Sequence, residues 1–187
     1  MDIEGIYRKS GGNSQILQIK EGFERSNDYD ISDPDLDINA VTSTLKQYFR
    51  KLPTPLITFP VYDLLLNSIS VPQDPNVPHP NQNSPPQRPP AETIAIMRNA
   101  LLELPARHRD TLEFLIFHLA RVVEREKDNL MTSLNVAVVF APTIMRPESL
   151  KREMQESQEK NRAVQFLIEN CQAVFLAHDT GERLGLK

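Results

Sequence analysis

The sequence is poor in the features that would make it easy to classify. It has no tryptophan, one cysteine and only six glycines. A single Cys171 excludes a disulfide framework within the chain and fits a reducing compartment. The apolar runs, chiefly Val136 to Met145 and Ala163 to Leu167, are too short to span a bilayer, which takes about 20 residues. The start shows no basic-then-apolar secretory pattern. There is no basic excess either. Lysine and arginine number 21 against 25 acids, a net charge of −4, which argues against a general nucleic-acid binder. Neither G-x-x-x-x-G-K-[ST] nor G-x-G-x-x-G occurs, so no phosphate loop or dinucleotide fingerprint is present. The four histidines, His79, His108, His118 and His178, have no metal-ligand spacing, and no metal site is expected. The expectation is a soluble cytoplasmic domain without an active site of its own.

What is plentiful is proline, and it is unevenly spread. The segment Val71 to Pro90, VPQDPNVPHPNQNSPPQRPP, holds 8 of the 15 prolines and cannot run as a helix. It reads as an extended inserted loop. Three P-x-x-P spacings begin at Pro72, Pro75 and Pro86 and leave weak recognition by an aromatic groove as a secondary possibility.

The remainder has helical periodicity throughout, and no long stretch alternates with period two, so the fold class is all-α. The spacing predicts helices over Asn13–Arg25 and Ile38–Leu52, the latter capped from Asp35-Leu36-Asp37 and ended by Pro53 and Pro55. A third opens with Pro60 in its first turn and runs to Ile69. Further helices are expected over Ala91–Leu104, over Pro105–Glu126 and over a short buried Met131–Phe140 whose exit Pro142 and Pro147 bracket. A final run covers Glu148–Ala177. On the Pro105–Glu126 helix, Leu112, Leu115, Ile116, Leu119, Val122 and Val123 form one stripe. His118 and Cys171 read as ordinary packing residues.

Three clusters carry more information. Glu4-Gly5-Ile6-Tyr7-Arg8-Lys9-Ser10-Gly11 sets an arginine in a glycine-bounded loop before a helix. In Leu45-Lys46-Gln47-Tyr48-Phe49-Arg50-Lys51-Leu52-Pro53-Thr54-Pro55-Leu56, Lys46 and Arg50 are four apart and share a helix face. The segment from Asn129 to Pro142, NLMTSLNVAVVFAP, buries Asn135 in an apolar run, where its amide must bond nearby backbone or face a binding surface. By spacing alone Arg8 can be a surface cation, Lys46 and Arg50 a solvated face, and Asn135 a structural residue.

Together, in order and separation, these clusters resemble the RhoGAP domain, the module that accelerates GTP hydrolysis by Rho-family GTPases. The likeness runs from about Ile3 to about Leu176. It implies a helical bundle over residues 1–177, interrupted by the proline loop at 71–90 and followed by a tail at 178–187. Arg8 falls at the position of the family's arginine finger. Lys46 and Arg50 fall where the family meets the GTPase surface and supports the finger loop. Asn135 falls near the partner's switch region and Pro142 at a partner contact, while Arg146 is a structural companion. The implied partner is a Rho-family GTPase in its GTP-bound state. That partner holds the nucleotide and Mg²⁺, so no cofactor is expected here. The implied role is activator rather than self-contained enzyme, with a catalytically weak binding or scaffold module of the same fold as the alternative. Family members usually carry a helical segment before the first motif, so the resemblance also implies that the numbering starts inside a domain.

Overall fold

The structure is a computed structural model and describes residues 1–26, 28–70 and 88–176. Ten helices and no strand occur among the described residues. They are α1 (Asn13–Arg25), α2 (Ile38–Lys51), α3 (Phe59–Ile69), α4 (Pro90–Leu102) and α5 (Ala106–Val123), then α6 (Glu126–Asn129), α7 (Ser133–Ile144), α8 (Leu150–Gln155), α9 (Ser157–Glu169) and α10 (Cys171–Phe175).

Local chemistry sets three of the starts. Asp37 accepts the Asn39 amide at 2.9 Å and caps α2. Thr132 does the same for Asn135 at the start of α7, at 3.2 Å. Pro60 lies in the first turn of α3, where a missing N–H costs nothing.

The apolar α7 is the axis of the bundle. It packs along α9 and also touches α2 and α5, and Val136, Ala137, Phe140, Ala141 and Ile144 are fully buried. Around it α5 contributes Leu112, Ile116, Leu119 and Val122, and α3 and α4 contribute Leu65 and Met97. Val123 only flanks this core. Helix α1 packs on α2 through a separate small cluster of Ile16, Ile19 and Ala40. Gly11 makes this approach possible: a Cβ there would stand 2.2 Å from the Ala40 nitrogen.

Three expected helix spans differ in the structure. Helix α7 does not stop before Pro142 but runs through it to Ile144. The proline forfeits one backbone bond. Past it, the Thr143 hydroxyl donates to the Val139 carbonyl at 3.1 Å and the Met145 amide to Ala141 at 2.9 Å. Burial of Phe140, Ala141, Thr143 and Ile144 outweighs the lost bond. The run Glu148–Ala177 is broken into α8, α9 and α10 rather than continuous. Glu156 leaves the helix (φ −104°, ψ 14°) where its carboxylate binds the Tyr62 hydroxyl at 2.7 Å and the Arg152 guanidinium at 2.8 Å. Asn170 interrupts the next turn, its side-chain and backbone nitrogens both donating to Phe166 O at 3.0 Å. The helix expected to reach Glu126 also stops, at Val123, before the short α6. The proline-rich stretch from 71 to 87 and the tail at 178–187 lie outside the described residues.

Candidate functional site

Arg8 sits on a loop that is held from several sides. Gly5 takes φ +70°, and its amide donates to the Asn129 carbonyl at 2.7 Å. The Gly5 carbonyl in turn accepts both the Arg8 and Lys9 amides at 2.9 Å. Tyr7 also has a left-handed backbone, φ +68°, which costs a residue with a side chain roughly 1–2 kcal/mol. The surroundings offset that cost. The Tyr7 ring is buried and meets Phe140 of α7 edge-on at 5.0 Å. Its hydroxyl lies 2.6 Å from Nε2 of His118 on α5. The Lys46 ammonium of α2 donates to its carbonyl. The Tyr7–Arg8 peptide is thus pinned at both its C=O and its N–H. Beyond it the Arg8 side chain is exposed and has no hydrogen-bond or ion-pair partner among the described residues.

Lys46 and Arg50, one helical turn apart, act in different directions. Lys46 is half-buried against the loop, and burial, with the Arg50 charge behind it, lowers its pKa from the ordinary lysine value. Arg50 is exposed and donates to the Thr143 hydroxyl of α7 at 3.3 Å. The end of α2 from which Arg50 projects is fastened by Arg146, whose guanidinium donates to the carbonyls of Arg50, Leu52 and Pro53. A cation satisfying the last carbonyls of a helix also complements its dipole. Arg146 therefore has the structural place that the resemblance implied.

Asn135 is half-buried, and its amide donates to the Leu130 carbonyl at 3.1 Å. That bond satisfies an amide donor with nearby backbone. Pro142 is half-buried on α7 next to Thr143. On the same two helices Tyr48, Leu134 and Val138 are about half exposed or more. Tyr48, with 62% of its surface exposed, points away from the core.

Bonds therefore tie Lys46 to the loop that carries Arg8, Arg50 to α7, and Asn135 to the turn at Asn129–Leu130 against which that loop rests. The residue at the centre of that turn was not singled out by sequence reasoning. Asn129 is completely buried. Its Nδ2 donates to the carbonyls of Val122 (2.8 Å) and Met1 (3.0 Å), and its Oδ1 accepts the Met131 amide at 2.8 Å. A buried amide with this many partners fixes its neighbours rigidly. The only available signal was a polar residue at the edge of an apolar run. The sequence marks His118 only as a packing residue, and nothing local announces its partner, 111 residues away.

Burial also shifts the titration of the groups beneath the loop. Burial pushes the Tyr7 phenol up to about 12, so it stays protonated. Burial, then Arg121 and the chain's amino terminus, lowers the His118 imidazole below its usual value. In the neutral tautomer protonated on Nδ1, His118 accepts a hydrogen bond from the Tyr7 hydroxyl at Nε2. Among the described residues no group of His, Cys, Asp and Glu is arranged to hold a metal ion. No described helix is long and apolar enough to cross a membrane. A cavity of about 490 Å³ opens elsewhere, between α3 and α8, lined by Phe59, Pro60, Asp63, Pro147 and Arg152 among others. Its Arg152 is already engaged by Asp63 and Glu156.

The RhoGAP domain model matches residues 1–149. Mouse beta-chimaerin is 35% identical over 176 residues, which cover 92% of this chain and 48% of that protein. A probable Rho-type GTPase-activating protein 4 of Schizosaccharomyces pombe is 37% identical over 175 residues, 94% of this chain and 17% of that protein. The chain spans about half the length, or less, of these relatives. Among solved structures, human Rho GTPase activating protein 15 superposes with a TM-score of 0.77 at 25% identity, covering 93% of this chain and 76% of that one. The BH domain from Graf, the GTPase regulator associated with focal adhesion kinase, superposes with a TM-score of 0.73 at 27% identity, covering 94% and 85%.

Proposed function

From the premise that this chain belongs to the RhoGAP domain family, we propose that it stimulates GTP hydrolysis by a Rho-family small GTPase in its GTP-bound state. It would act in the cytoplasm, with Arg8 as an arginine finger supplied in trans. The observation that carries this reading is the contrast between Arg8 and its loop. The backbone is strained, clamped and bonded on every side, while the guanidinium is exposed and unpartnered. A protein gains no stability from such a side chain. The arrangement suits one that finds its counter-charge on another molecule.

Phosphoryl transfer spreads negative charge over the γ-phosphate oxygens, and a cation placed there lowers the barrier. The nucleotide and its Mg²⁺ belong to the partner. This chain contributes an arginine, always charged and with a planar fork of donors that matches phosphate oxygens. Such a finger is worth about 10³–10⁵ in rate. Preorganisation matters because a loop already held in place loses little entropy when it docks. In this reading Lys46 holds the finger loop. Arg50, Asn135 and Pro142, with the exposed Tyr48, Leu134 and Val138, form the surface that meets the partner. The chain is thereby an activator that completes a partner's active site.

The test is single-turnover GTP hydrolysis by a panel of Rho-family GTPases, with and without the chain. Stimulation of at least one member by two orders of magnitude or more supports the proposal. Binding to the GTP-loaded form without stimulation would replace it with the scaffold reading. Neither binding nor stimulation across the panel would remove both.

A further inference from the structure

Tyr7 stands immediately before the finger, and three of its groups are each restrained by a different helix. Its carbonyl is held from α2, its ring from α7 and its hydroxyl from α5. The first two restraints leave the ring free to slide or tilt within its apolar pocket, because edge-to-face packing is broad in angle. The third is directional. A hydrogen bond of 2.6 Å to a ring nitrogen, with the two rings 84° apart at 5.8 Å, sets both the depth and the tilt of the phenol. His118 is itself held in place: it lies on α5 among Leu115, Leu119 and Val122, all buried. The Arg8 side chain has no tether of its own, so its starting position follows from the orientation of the Tyr7–Arg8 peptide.

Resting on the proposed finger role of Arg8, we infer that His118 is a positioning residue for that finger, acting across the fold through the Tyr7 hydroxyl. A histidine that only filled space on α5 would contribute to stability alone. A histidine that sets the tilt of Tyr7 also contributes to the rate at which the bound GTPase turns over, and does so only while Arg8 is present.

That dependence separates the two roles. The experiment measures stimulated hydrolysis at saturating activator for the parent, His118→Leu, Tyr7→Phe and the double variant, each in the Arg8 and the Arg8→Ala background. The GTPase is the Rho-family member that the parent stimulates most. Affinity for that GTPase loaded with a non-hydrolysable GTP analogue is measured in parallel. His118→Leu and Tyr7→Phe should each lower the plateau rate by about tenfold, since small misplacement of a catalytic group is costly. The double variant should be no worse than either single one, affinity should change less than twofold, and His118→Gln, which keeps an acceptor near Nε2, should recover most of the rate. In the Arg8→Ala background the same changes should have no further effect. Equal losses in both backgrounds, or an undiminished plateau in folded His118→Leu, would overturn the inference. The double variant keeps the test usable if a lone unpaired Tyr7 hydroxyl prevents folding of His118→Leu. A second readout needs no GTPase: amide hydrogen exchange at Arg8 and Lys9, both bonded to Gly5 O, should accelerate in His118→Leu while α5 amides keep their protection. Unchanged exchange at both would also overturn it. A parent that stimulates no GTPase but shows the exchange effect would sink the proposed function and leave the Tyr7–His118 link standing.

Discussion

An Arg8→Ala substitution should slow stimulated hydrolysis by about 10²–10³ while leaving the fold untouched, and the structure supplies both halves of that expectation. The stability half follows from what Arg8 lacks. Its side chain is exposed with no partner among the described residues, and its one loop bond uses the backbone amide that alanine retains. Substitutions of that kind change stability by no more than about 0.5 kcal/mol. The rate half follows from where charge develops. Removing one preorganised donor from an anionic transition state costs about 2.7–4 kcal/mol, which is the stated 10²–10³. Ground-state affinity should fall far less, because the interaction strengthens only as the transition state forms. Arg8→Lys should recover little, since an ammonium keeps the charge but loses the fork. The assay is single-turnover hydrolysis at saturating activator, with affinity for the GTPase bound to GDP and aluminium fluoride beside it and thermal unfolding as the control for folding. If Arg8→Ala stimulates as well as the parent, Arg8 is no finger. If it unfolds at markedly lower temperature, the side chain has partners that the geometry does not show.

Lys46→Met should reduce the plateau rate, because it removes the donor to the Tyr7 carbonyl. Arg50→Ala should instead weaken binding, more strongly as salt is lowered toward conditions where surface charge counts, and titration of the activator at two salt concentrations separates the two. Gly11→Ala should destabilise the chain by about 1–3 kcal/mol, read from urea unfolding, because its Cβ would collide with backbone atoms of Ala40 and Asn39 at 2.2–2.6 Å. His118, lowered from its usual value by burial, binds its proton more readily in the unfolded chain than in the folded one. Stability should therefore decline as pH falls below about 6.5 and level off once the folded imidazole also titrates, and the part of that decline missing from His118→Gln, measured by thermal unfolding between pH 5 and 8 or so, belongs to this residue.

The helices were legible because helix formation is local. Periodicity and caps placed α1 at Asn13–Arg25, α2 behind its Asp37 cap and α3 behind Pro60, and the structure keeps all three. Proline and break positions were less legible, since α7 runs through Pro142 and the last helix breaks at Glu156 and Asn170 on account of contacts rather than composition. For the site, spacing put Lys46 and Arg50 on one turn, and the resemblance supplied the expected roles of Arg8, Asn135 and Pro142. Only the tertiary structure turned Lys46 inward to the Tyr7 carbonyl and Arg50 across to Thr143. Only it brought Asn129 beneath the loop and His118 against Tyr7. These bonds join residues 39 to 124 positions apart, and no hydrophobic period reports them. A helix is written in the next four residues of its own chain, whereas the rigidity of a finger loop depends on which distant donors the packed bundle happens to bring within three ångströms.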